Sequence, residues 1–150
     1  MIIFLDIDGV IATSRSYEEY PDRDDLLDRR CISALNYLAD RLDAAYVISS
    51  TWRIEGITAL REKLAYARLK REVIGTTPLT DDRVRGKEIL EWIRINNYKG
   101  DYLVIDDEIS DISPHIPEDK ILHTGRNAFR GKGLTIKMVE DYLRRRNEQK

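Results

Sequence analysis

The sequence predicts an α/β fold, in which a three-layer, doubly wound (Rossmann-like) arrangement holds a sheet of about five parallel strands between helices. Two observations predict it. Short apolar runs recur along the chain, and segments with helical spacing separate them. The runs are apolar almost throughout, which is typical of strands buried on both faces. They are MIIFL at 1–5, AAYVIS at 44–49, EVIG at 72–75, YLVI at 102–105 and KILH at 120–123.

Three of the intervening segments repeat apolar residues at the period of a helix. These residues are Leu35, Leu38 and Leu42, then Ile89, Leu90 and Ile93, and finally Met138, Val139, Tyr142 and Leu143. The polar residues of 13–30 predict a surface loop. A chain of 150 residues is near the most common size of one domain, so we expect a single domain over 1–150.

Charge and composition limit the possible partners. With 25 Lys and Arg against 27 Asp and Glu, no overall field attracts nucleic acid or a membrane, so polyanion binding requires a local patch. The best candidate is Arg126, Arg130 and Lys132, because no acidic residue interrupts it. No apolar run approaches the length of about 20 residues that spans a bilayer. A single cysteine, Cys31, and a start without a secretion signal lead us to expect a cytoplasmic location.

Carboxylates follow two of the predicted strands. Asp6 and Asp8 come directly after the first run, and Asp106 and Asp107 after the fourth. Ligands of open parallel sheets bind beyond the carboxyl ends of the strands, and like charges in such a crevice need a compensating cation. Oxygen ligands of this kind suit Mg²⁺. A lone D-x-D-G motif is more often a helix cap or a turn. Here the motif follows a predicted strand and a second acidic pair follows another strand, and both observations favour a metal site. Gly9 suits the sharp turn that follows.

These motifs resemble those of the haloacid dehalogenase (HAD) superfamily of phosphatases. FLDIDGV resembles the first signature, YVIS the second, RGK the third and VIDDEISD the fourth. The resemblance implies that Asp6 is the nucleophile, Asp8 the general acid and base, Ser49 a ligand of the phosphoryl group and Lys87 a balancing charge. The implied metal ligands are Asp6, Asp8 and Asp106, supported by Asp107 and Asp111. Some members space their acids four apart, which would select Asp107 with Asp111 instead.

The resemblance also implies a magnesium-dependent phosphomonoester hydrolase that forms an aspartyl phosphate and has no large cap domain. The string SSTWR and a later GLT at 133–135 resemble a subgroup associated with nucleic-acid end repair. We therefore expect a phosphorylated nucleic acid end or a nucleotide as substrate, bound by Gly9, Ser50, Trp52 and Arg53. Trp52 would stack on a base and Arg53 would bind a phosphate. Alternatively, Trp52 is a packing residue and Arg53 forms a surface ion pair.

Two other functions stay open at this point. One is a small-molecule phosphatase. The other is a non-catalytic, magnesium-binding regulatory domain that resembles a receiver domain. The sequence leaves open the choice between 3′ and 5′ phosphates, between DNA and RNA, and between oligomeric states.

Overall fold

A computed structural model describes residues 1–19 and 27–150 and shows one parallel sheet of five strands. The strands are β1 (Ile2–Leu5), β2 (Ala45–Ile48), β3 (Val73–Thr76), β4 (Tyr102–Asp106) and β5 (Ile121–His123). Every pairing between neighbouring strands is parallel, and the order across the sheet is β3-β2-β1-β4-β5. The predicted fold class and all five predicted strands are therefore confirmed.

Five α-helices lie among the described residues: α1 (Ser14–Glu19), α2 (Arg29–Leu42), α3 (Ile57–Tyr66), α4 (Arg85–Ile95) and α5 (Ile136–Glu148). The helices α2, α4 and α5 confirm the three periodic segments. The loop expected over 13–30 is wrong for residues 14–19, which form α1, and for residues 29–30, which begin α2, and residues 20–26 lie outside the described residues. The helix α3 was not predicted, because it presents only Leu60 and Leu64 as fully buried positions.

The sheet separates two apolar clusters. Residues of a strand point alternately to opposite faces, so Ile3 and Leu5 of β1 join one cluster while Ile2 and Phe4 join the other. The first cluster packs against α2, α3 and α5, and the second against α4. Over residues 1–19 and 27–150 this arrangement forms three layers, with no large cap domain added to them. No described helix is both long enough and apolar enough to cross a membrane.

The strand order places a crevice between β1 and β4. From β1 the chain proceeds outward through β2 to β3, and it then returns to the other side of β1 to form β4 and β5. The connections that leave β1 and β4 therefore diverge. Ligands of doubly wound sheets bind at such a switch point, beyond the carboxyl ends of the strands. Asp6 and Asp106 stand at this point.

Candidate active site

A tight turn after β1 positions the first acidic motif. The backbone N–H of Asp6 still donates to the carbonyl of Ile105 in β4, at 3.0 Å, and the chain then reverses. Gly9 has φ +79°, and a Cβ built there would lie 2.6 Å from Cγ of Asp107. Glycine at this position therefore satisfies both the left-handed backbone and the close approach of Asp107.

Three carboxylates meet across the crevice. Asp6, Asp106 and Asp107 each offer an oxygen, and these oxygens lie within 4.8 Å of one another. Burial, followed by the charge of Asp106, raises the pKa of Asp6 well above its usual value. Burial also raises the pKa of Asp106 to about 6, even though the neighbouring Arg85 acts to lower it. The cluster is thus an electrostatically costly arrangement that a cation would relieve.

Arg85, the first residue of α4, lies against this cluster. Its Nη1 is 2.9 Å from Oδ2 of Asp106 and 3.6 Å from Oδ1 of Asp6, and it also donates to the carbonyl of Ser49. Asp111 fixes the start of the helix, because its Oδ2 accepts the backbone N–H of Arg85 at 2.9 Å. Asp111 therefore caps α4 and lies outside the three-carboxylate group.

The structure does not place Lys87 beside the carboxylates. Its Nζ is 2.7 Å from the carboxylate of Asp82, and its side chain is half exposed. Two residues along a helix correspond to a rotation of about 200°, so Lys87 points away when Arg85 points inward. The buried residues of α4 at three, four and seven positions after Arg85 are Glu88, Ile89 and Trp92, which share its face. That spacing was the signal that could have selected arginine over lysine.

Asp8 lies apart from the cluster and is held by Trp52. The indole Nε1 donates to Oδ2 of Asp8 at 3.1 Å. Burial raises the pKa of Asp8, and the indole hydrogen bond only partly opposes this. The ammonium of Lys63 lies over the Trp52 ring, 5.5 Å from its centroid. The structure thus gives Trp52 a contact with a predicted catalytic carboxylate that the sequence did not reveal.

Two serines after β2 differ in their surroundings. The Ser49 backbone N–H donates to the carbonyl of Leu5, whereas its Oγ is buried and has no hydrogen-bond partner among the described residues. Such a group costs free energy unless a ligand or water satisfies it. Oγ of Ser50 accepts the backbone N–H of Trp52 and caps the short 3₁₀ helix Thr51–Glu55. The Ser49 hydroxyl thus has no partner among the described residues, whereas the Ser50 hydroxyl accepts one hydrogen bond and can still donate one.

Arg53 does not form the surface ion pair that was one of the two alternatives. Its Nη2 is 2.8 Å from Oε1 of Glu88, and both side chains are almost fully buried. Its Nη1 donates to Oγ1 of Thr77 at 3.1 Å. Glu88 also lies 3.9 Å from Nε of Arg85, so one buried carboxylate connects the two arginines.

The donor set fits a hard divalent cation. Three clustered carboxylates offer oxygen ligands of the kind that Mg²⁺ prefers. The hydroxyl of Ser49, which has no partner among the described residues, could donate a hydrogen bond to a ligand oxygen. Together with the switch-point location, these groups define the class of protein as an α/β domain with an acidic site whose residues could hold a cation.

Comparison with known families then gives the family. Residues 2–135 match the model described as the HAD domain in Swiss Army Knife RNA repair proteins. The match covers most of the chain, which therefore belongs to this family. It confirms the resemblance to capless HAD domains of nucleic-acid repair proteins and supports a HAD-family hydrolase. No curated protein matches the chain. No solved structure matches it either.

Proposed function

We propose that this chain is a magnesium-dependent phosphatase that hydrolyses phosphomonoesters at nucleic acid ends through an aspartyl phosphate on Asp6. The observation that carries the proposal is the meeting of Asp6, Asp106 and Asp107 beside Arg85 at the switch point of the sheet. We propose RNA ends first, because the family description names RNA repair.

Asp6, Asp106 and Asp107 would hold Mg²⁺. When bound, the ion supplies positive charge that keeps the carboxylates ionised and balances the phosphoryl oxygens. The chain supplies further donors of its own. The Ser49 hydroxyl would donate to a phosphoryl oxygen, and the Arg85 guanidinium holds a positive charge next to Asp6.

The carboxylate of Asp6 would attack phosphorus in line, and the bond from phosphorus to the leaving oxygen would break. Asp8 would give its proton to that oxygen, a task that suits a carboxyl whose pKa is raised by burial. Asp8 would then take a proton from the water that attacks the aspartyl phosphate. Inorganic phosphate would leave, and Asp6 would be regenerated.

Phosphate release from a substrate panel tests the proposal. The panel holds 3′- and 5′-phosphorylated RNA and DNA oligonucleotides, mononucleotides and p-nitrophenyl phosphate, each with Mg²⁺ and with EDTA. We expect release that needs Mg²⁺, is lost in Asp6→Asn and is kept in Asp82→Asn, an exposed acid outside the cluster. Preference for p-nitrophenyl phosphate and nucleotides would indicate a small-molecule phosphatase. Release from no substrate would favour the non-catalytic reading.

A second pair of variants separates Arg85 from Lys87. We expect Arg85→Ala to lower kcat by about 10²-fold, the usual effect of removing one charge-stabilising donor. Lys87→Ala removes only a surface ion pair with Asp82, so its kcat should stay near that of the wild type. Equal losses in the two variants would contradict the role that we give to Arg85.

A further inference from the structure

The loop between β5 and α5 carries a cluster of positive charge beside the candidate active site. We call residues 125–133, with the sequence GRNAFRGKG, the basic loop. Directly before it stands Thr124, whose Oγ1 donates to the carbonyl of Gly9 at 2.8 Å and whose N–H donates to the carbonyl of Asp106 at 3.0 Å. The residue from which the basic loop extends is therefore in direct contact with both acidic segments of the site.

Two backbone hydrogen bonds, one within the basic loop and one directly after it, join this segment to the chain that follows β1. The carbonyl of Phe129 accepts the N–H of Ser14 at 2.7 Å, and the N–H of Leu134 donates to the carbonyl of Val10 at 2.8 Å. Gly133 has φ +61°, and a Cβ there would lie 2.8 Å from the Val10 oxygen. The charges of the basic loop are thus carried on backbone that is fixed relative to the nucleophile's own turn.

Two of the three cations in the basic loop have no acidic partner in the part of the chain that the structure describes. Arg126 pairs with Glu108 at 3.1 Å. Arg130 and Lys132 are exposed and form no ion pair within residues 1–19 and 27–150. The basic loop itself contains no Asp or Glu. Positive charges that are grouped, exposed and unpaired near a phosphate site are suited to a polyanion.

We propose that Arg130 and Lys132 bind backbone phosphates of a nucleic acid strand whose terminal phosphate reaches Asp6. This proposal rests on the proposed function, because it takes the substrate to be a strand end. It adds that the strand leaves the crevice along the basic loop. A mononucleotide has no further backbone phosphates, so only the longer substrate gains from these two cations.

Turnover by the variant Arg130→Ala/Lys132→Ala gives the first test. The measured quantity is the ratio of kcat/KM for a phosphorylated single-stranded RNA oligonucleotide to kcat/KM for the matching mononucleotide. We expect this ratio to fall by about two- to fivefold for each lost contact. The matched control is Lys99→Ala. Lys99 is exposed and forms no ion pair among the described residues. It precedes the amino end of β4, whereas the basic loop follows the carboxyl end of β5. Equal losses on both substrates, or an equal effect in the control, would overturn the proposal.

Binding without turnover gives a second test that does not depend on catalysis. Fluorescence anisotropy would follow the oligonucleotide on Asp6→Asn protein, with and without the two alanine substitutions, over a series of NaCl concentrations. The slope of log K against log salt is negative, and its magnitude falls by about 0.7 for each lost phosphate contact. Loss of two contacts should therefore make the slope about 1.4 less steep. An unchanged slope would overturn the proposed surface. Normal binding by the Asp6→Asn protein together with no phosphate release by the wild type would instead refute the proposed function and leave the surface intact.

Discussion

Glu88→Ala should be among the most destabilising single substitutions in this chain. The carboxylate of Glu88 is almost fully buried and accepts hydrogen bonds from Nη2 of Arg53 at 2.8 Å and from the N–H of Thr80 at 3.0 Å. It also lies 3.9 Å from Nε of Arg85. Removal of the carboxylate would leave the guanidinium of Arg53 buried without its acidic partner, and an uncompensated buried charge is costly.

The expected cost of Glu88→Ala is about 3–5 kcal/mol of the free energy of unfolding, which is typical when one member of a buried ion pair is lost. For a domain of this size, about 2–4 °C per kcal/mol converts this cost into a fall in Tm of about 6–20 °C. Urea unfolding and a thermal scan, both in EDTA, measure the two quantities.

Glu91→Ala is the matched control on the same helix. Glu91 pairs with Arg94, which is largely exposed, so its loss should cost about 0–1 kcal/mol. Arg53→Ala/Glu88→Ala should cost less than the sum of its two single variants, because the double variant leaves no unpaired guanidinium. If Glu88→Ala destabilises the chain no more than Glu91→Ala does, the buried pair does not contribute as we infer.

Three further predictions concern the site and its supports. Gly9→Ala should lower the free energy of unfolding in urea more than Gly125→Ala does. Both glycines have positive φ, but only a Cβ at Gly9 would lie against a neighbouring side chain, that of Asp107. Equal losses of stability in the two variants would contradict this prediction. Mg²⁺ at 100 times its Kd should stabilise the wild type by about 2.7 kcal/mol in a thermal scan. This gain should be lost in Asp107→Asn and kept in Asp111→Asn. The reverse pattern would show that Asp111, and not Asp107, is the metal ligand. Although burial acts to raise the pKa of Asp28, hydrogen bonds from two arginines and a threonine hold it below its usual value. This stabilisation is present above about pH 4 and is lost as the pH falls through the folded pKa, so Asp28→Asn should cost more at pH 7 than at pH 3, and a constant cost would refute it.

Much of the fold followed from short-range pattern. The five strands could be predicted because short, continuous apolar runs are typical of strands that are buried on both faces. The helix α2 could be predicted from the helical spacing of its apolar residues. The helix α3 was missed, since exposed side chains occupy most of its surface and only two buried leucines mark it. Leu90, one of the three apolar residues whose spacing predicted α4, is 40% exposed, because Ile89 and Trp92 form the buried face of that helix.

In the site, the sequence indicated which carboxylates follow β1 and β4 and therefore which would meet, because parallel strands end at one edge of the sheet. It did not show which way each side chain points. The rotation of α4 places Arg85, and not Lys87, beside the acidic cluster. Asp111 instead accepts the backbone N–H of Arg85 at the start of that helix. The pairing of Arg53 with Glu88 joins residues 35 positions apart.

The sequence by itself thus determined which polar residues follow each strand: a candidate nucleophile after β1, hydroxyl side chains after β2 and carboxylates after β4. What only the tertiary structure decided was the set of partners that each polar side chain takes. The physical reason is that burial and strand pairing follow from local apolar pattern, whereas ion pairs and hydrogen bonds depend on helix rotation and on approaches of a few ångströms between distant segments.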